Sequence, residues 1–86
     1  MIAVAGSDKA DDVLVTVDLS YEDNILVDLK SKNKALFGKQ IENVVREVAE
    51  EMNVKNASFK LEDFGALDFV IRARVKTAIK RARGDK

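Results

Sequence analysis

Three runs of period-two hydrophobicity and two of helical period predict an α+β domain of order ββαβα. In this architecture two helices cover one face of a three-stranded, antiparallel sheet. Three observations carry the prediction. Val13, Val15, Val17 and Leu19 fall on one face at period two, Phe37 to Met52 recur at helical spacing, and the chain has no proline to interrupt any element.

The first strand is "VLVTVDL", residues 13 to 19, with one apolar side. "SYEDN" at 20 to 24 has turn chemistry, because Asp23 and Asn24 tolerate tight local conformations. "ILVDLK" then alternates again, with Ile25, Val27 and Leu29 inward, so the two runs read as a hairpin. From Ser31 the period changes. Phe37, Ile41, Val44, Val45, Val48 and Met52 form one stripe of a helix that Ser31 or Asn33 can cap, with Asn53 as its stop. Glu42 and Arg46 stand one turn apart on its wet face. "NASFKLED" returns to period two with Ala57, Phe59 and Leu61 inward, and Phe64-Gly65 breaks it. The last helix carries Leu67, Val70, Ile71, Val75, Ala78 and Ile79 on a stripe that only Arg74 interrupts. Phe64, Leu67 and Ile71 are assigned to the core. The strand of residues 13 to 19, the most apolar, is placed at the centre of the sheet, which makes its neighbours antiparallel. The whole of 1–86 is one domain, with a flexible leader at 1–11 and a mobile end at 84–86.

Composition excludes several chemistries. There is no cysteine and no histidine, so disulfides, thiolate metal sites and Ser-His or Cys-His nucleophile pairs are ruled out. The apolar share of 47% suffices for one core in a chain of this length. No apolar run approaches the ~20 residues of a membrane span, and no signal peptide is visible, so a cytoplasmic chain with no membrane contact is expected. The four glycines never take the spacing of a phosphate-binding loop.

Charge is balanced overall but polarised. Residues 8 to 28 carry seven acids against Lys9, and residues 72 to 86 carry seven bases against Asp85. Such polarity suits charge-guided docking on a partner, or two solvated faces. The paired carboxylates Asp11-Asp12 and Glu62-Asp63 have no third ligand at sensible spacing and read as solvated loop groups. Glu50-Glu51, at a helix C-terminus where the dipole disfavours them, hint at a basic partner. Arg72 and Arg74 have two readings, phosphate or partner contact through the guanidinium fork, or salt bridges to Asp68 or to sheet carboxylates. Nucleic acid is disfavoured by zero net charge and by aromatics largely committed to the core. On these grounds alone the chain is a small non-catalytic α+β domain.

The stretch "EDFGALDFVIRARV", residues 62 to 75, adds something specific. Gly65-Ala66-Leu67-Asp68 followed by Ile71-Arg72-Ala73-Arg74 resembles the end of the citrate lyase acyl carrier (gamma chain) family. "DFGA" also resembles the carrier subunit of malonate decarboxylase. The leader "AVAG", the strand "DDVLVTV" and the helix start "FGKQI" are similar to the citrate lyase carriers in order and spacing. The resemblance implies a carrier with no catalytic residue of its own. It would hold acetyl and citryl thioesters on a phosphoribosyl dephospho-coenzyme A arm during cleavage of citrate to acetate and oxaloacetate. It also implies three partners: the lyase alpha and beta chains and the prosthetic-group transferase. The resemblance places the attachment serine at position 10, where this chain has Ala10. A methyl group cannot form a phosphodiester, so the position is blank as written. Either the serine has been replaced or lost, which is the preferred reading, or Ser7 serves instead. An unmodified, carrier-like interaction module that scaffolds a lyase or decarboxylase complex is the alternative.

Overall fold

A computed structural model describes residues 1–84. The chain runs β1 (Ile2–Gly6), β2 (Val13–Asp18), β3 (Ile25–Ser31), α1 (Lys34–Glu51), β4 (Ala57–Asp63) and α2 (Asp68–Arg83). The α+β class and the two helices agree with expectation, but the sheet does not. It has four strands in the order β1-β2-β4-β3, and it is mixed. β1 pairs antiparallel with β2, β2 antiparallel with β4, and β3 parallel with β4.

Two physical reasons account for the difference. The expected hairpin of β2 and β3 does not form, because α1 carries the chain back to the start of the sheet. β4 therefore runs parallel to β3 and inserts between it and β2, as a strand-helix-strand crossover requires. The strand placed at the centre, β2, is one of two inner strands, and β4 is the other. The extra strand lies inside the expected leader, since residues 2–6 pair along β2 from Ile2 opposite Asp18 to Gly6 opposite Leu14. Its inward residues are Ala3 and Ala5, too small to register as a hydrophobic alternation. The small side chains suit a close approach by α2, and a Cβ added at Gly6 would lie 3.4 Å from the Arg74 side chain. Of the expected mobile end, Gly84 is the left-handed C-cap of α2 (φ 78°), and residues 85–86 lie outside the described residues.

The core lies between the sheet and the two helices. Val13, Val15 and Val17 of β2 and Ala57, Phe59 and Leu61 of β4 meet Ile41, Val44, Val45 and Val48 of α1 and Ile71, Val75, Ala78 and Ile79 of α2. Period-two and helical stripes thus converge on one apolar layer, and among the described residues no buried side-chain polar atom lacks a partner. Each edge strand has a carbonyl occupied by an arginine. Arg81 Nη1 donates to the Val4 carbonyl at 2.8 Å, and Arg46 Nη1 to the Ile25 carbonyl at 3.3 Å. Both contacts use up an acceptor that would otherwise invite another strand. Arg46 therefore serves the sheet edge rather than the expected pairing with Glu42.

The expected helix signals hold in part. Asn33 is the N-cap residue of α1 but makes no side-chain cap bond, while Ser31 Oγ accepts the Asn33 N–H at 3.2 Å. Asn53 takes a left-handed backbone just past the helix (φ 58°). Phe64 and Leu67, assigned to the core by their place beside the apolar stripe, are instead exposed, at 39% and 63%. Both precede the first turn of α2, which begins only at Asp68, so the helical period does not yet govern where they point. Ile71, one turn in, is buried as expected. Phe37 and Phe69 are exposed too, so of the five aromatics only Phe59 is in the core.

Candidate functional site

The hairpin that links β1 to β2, residues 7–12, holds both candidate attachment positions. Gly6 opens it with a left-handed backbone (φ 89°), and a Cβ there would overlap the Val13 carbonyl oxygen, so only glycine fits. Asp12 closes it. The Ser7 hydroxyl donates to Asp12 Oδ2 at 2.8 Å and accepts the Lys9 N–H at 3.3 Å. Asp12 Oδ1 accepts the Val13 N–H at 2.8 Å. Two backbone bonds then tie this hairpin to the loop after β4: Asp11 N–H to the Phe64 carbonyl (2.8 Å) and Phe64 N–H to the Asp12 carbonyl (3.0 Å). Of the leader, residues 1–7, 9 and 11 are thus bonded. Ala10, exposed, carries no polar side-chain atom.

Arg74 reaches this hairpin from α2. Its Nε donates to Asp12 Oδ1 at 3.0 Å and its Nη2 to Oδ2 at 3.1 Å, a bidentate fork. The one polar break in the α2 stripe is therefore explained by a carboxylate 62 residues away. Arg72 is not brought to the same place. It bonds Asp68 Oδ1 at 2.7 Å and Glu47 of α1 at 3.1 Å. The salt-bridge reading of both arginines is therefore what the geometry displays. Lys76 pairs with Glu51 at 3.7 Å, so part of the basic partner suggested by the acids of α1 is α2 itself.

Asp12 is not the solvated loop carboxylate that its spacing suggests. The Arg74 fork, then the Ser7 hydroxyl and the Val13 N–H, lower its pKa from 3.8 to about 2. The folded chain thus holds this proton less readily than the unfolded one. The stabilisation is complete above the ordinary carboxylate range and is lost as pH falls through about 2. Urea midpoints of the chain and of Asp12→Asn are expected to differ most at neutral pH and to converge as pH approaches 2. A gap that does not narrow on acidification would contradict the assignment.

Asp63 was likewise read as solvated. Its Oδ1 accepts the Gly65 and Ala66 N–H groups at 3.1 and 3.0 Å, and its Oδ2 accepts the Ser31 hydroxyl at 3.0 Å. This gives "DFGA" a physical meaning. Asp63 closes a turn on its own backbone, and Gly65 supplies the positive φ (95°) that the turn needs. The signal is present in the sequence, an aspartate two residues before a glycine, although the Glu62-Asp63 pair reads as two solvated loop carboxylates when taken alone. Among the described residues there is no group of His, Cys, Asp and Glu that could hold a metal. No helix among them is long and apolar enough to cross a membrane.

These loops enclose a cleft of about 800 Å³ at the C-terminal ends of β3 and β4, lined by Ala10, Lys30, Lys32, Lys34 and Phe64 among others. Beyond Asp63 and Gly65 a smaller cavity of about 310 Å³ lies between the helices, where Phe37 and Leu67 flank Ile41, Val44 and Ile71. Position 10 therefore stands at a concave surface.

A family model described as ACP, malonate decarboxylase delta subunit (MdcD), matches residues 2–82. An acyl carrier class accords with a compact two-layer body that presents one short hairpin beside a cleft. The chain is 46% identical over 80 residues to the citrate lyase acyl carrier protein of Treponema denticola, covering 93% of this chain and 90% of that one. Its likeness to the citrate lyase acyl carrier protein of Streptococcus mutans is 45% over 80 residues (93% and 78%). To that of Fusobacterium nucleatum it is 38% over 81 residues (94% and 86%). The chain belongs to the citrate lyase acyl carrier protein family.

Proposed function

We propose that this chain takes the acyl-carrier place in a citrate-lyase-type complex, as a tether without acid, base or nucleophile of its own. The observation that supports the reading best is the family match along 93–94% of the chain. The absence of histidine and cysteine accords with it, because a carrier's reactive sulfur belongs to its prosthetic group. The arm proposed for the family, phosphoribosyl dephospho-coenzyme A, needs an oxygen at the attachment position. Ala10 offers none, and Ser7, the hydroxyl nearest in sequence, is engaged with Asp12. The residues present do not fit a covalent arm at position 10, so the chain as written fills the carrier's place unloaded. Arg74 then acts on the attachment hairpin through Asp12 rather than on phosphate.

Ala10 equally favours a second reading, an unmodified module that scaffolds a lyase or decarboxylase complex. Coexpression of the chain, tagged, with lyase alpha and beta chains distinguishes a partner of that complex from a free domain. Both large subunits are expected to copurify whether position 10 is alanine or serine. Failure of either form to retain them would remove the complex from the account.

A further inference from the structure

We propose that the cleft at the C-terminal ends of β3 and β4 is a non-covalent binding site for a nucleoside diphosphate. The volume, about 800 Å³, lies within the range of small-molecule sites. β3 and β4 are the parallel pair of the sheet, and a crevice beyond the carboxyl ends of parallel strands is where open sheets with crossover helices take ligands. Three lysines, Lys30, Lys32 and Lys34, line it within five residues, and among the described residues no carboxylate lies within ion-pair distance of them.

The acids in the same wall offset part of this charge. Glu62 stands opposite Lys30 in the β3–β4 register, and Asp63 is turned onto Ser31, Gly65 and Ala66, which leaves Lys32 and Lys34 as the cations the cleft offers a ligand. α1 opens at Lys34 with no acid in its first turn and no side-chain cap from Asn33, so its dipole adds to the positive field. Phe64 lines the cleft and is 39% exposed, an aromatic within reach of a base bound there. Cations spread along one wall suit two linked phosphates, and the aromatic suits the base. The site uses no bond at position 10 and is independent of whether the chain is ever loaded.

Titration of the ¹⁵N-labelled chain with ADP, read by amide chemical shifts, tests the site. Shifts are expected at Lys32, Asn33, Lys34 and Gly65, weakening as salt is raised. Adenosine and inorganic pyrophosphate are each expected to bind about tenfold more weakly, a difference of about 1.4 kcal/mol. Lys32→Glu with Lys34→Glu is expected to lose ADP binding by about tenfold or more. Both lysines are exposed, and the gentler Lys32→Gln, Lys34→Gln pair, checked for an unchanged dispersed spectrum, is expected to weaken it in the same direction. Adenosine or pyrophosphate binding as tightly as ADP, shifts confined to other faces, or undiminished binding by the folded lysine variants would overturn the proposal.

Discussion

Truncation of Phe59 to alanine is expected to cost about 3–5 kcal/mol and to leave much of the population unfolded under mild conditions. Phe59 is the largest fully buried side chain, at 0% exposure in the middle of β4. It stands opposite Val17 of β2 on one side and Val27 of β3 on the other, and its ring faces the helices across the one apolar layer. A domain this small has ~5–15 kcal/mol in total, so one cavity there removes a large fraction of the stability. The same truncation at Phe37, which is 49% exposed at the first turn of α1, removes far less burial and is expected to cost under about 1 kcal/mol. Urea denaturation followed by circular dichroism separates the two. A Phe59→Ala loss below about 1.5 kcal/mol would mean that the layer collapses around the void or that β4 is not an inner strand.

That contrast shows where sequence period was informative and where it stopped. The stripe from Ile41 to Val48, the alternation at Val13, Val15 and Val17, and the trio Ala57, Phe59 and Leu61 are all buried as read, because burial is what creates a period. β1 escaped detection since Ala3, Ala5 and Gly6 are small, and smallness there reflects the nearness of α2 rather than looseness. The order of the strands was not legible because a short turn-like loop such as 20–24 looks the same whether its strands pair or part. Only the return path through α1 fixes β4 between them. At the site, Arg74 announced itself by breaking an apolar stripe, but its partner is 62 residues away and no local pattern names it. Asp63 was legible in principle through the glycine that follows it.

The second large effect is all-or-none and concerns position 10. Ala10 sits exposed on a hairpin anchored by Gly6, Asp12 and two backbone bonds to the loop after β4, next to the cleft. Serine there adds one hydroxyl to an open surface. With no burial change, Ala10→Ser is expected to shift stability by less than about 0.5 kcal/mol. Under the proposed carrier reading its effect on attachment is expected to be large, because it supplies an exposed hydroxyl at the position where Ala10 has none. Ser7, by contrast, gives its hydroxyl to Asp12, so Ser7→Ala in the Ala10→Ser background is expected to weaken the hairpin without preventing loading.

The chain has no cysteine, so any thiol on it must come from an attached group. A thiol titration of the denatured protein after coexpression with the prosthetic-group transferase therefore tests the carrier account most directly. The unaltered chain is expected to read zero and Ala10→Ser one thiol per chain, with the added mass mapped to the peptide containing position 10. Zero thiols on Ala10→Ser, beside an active transferase that loads a relative of this family, would contradict the assignment of the site and of the carrier role with it.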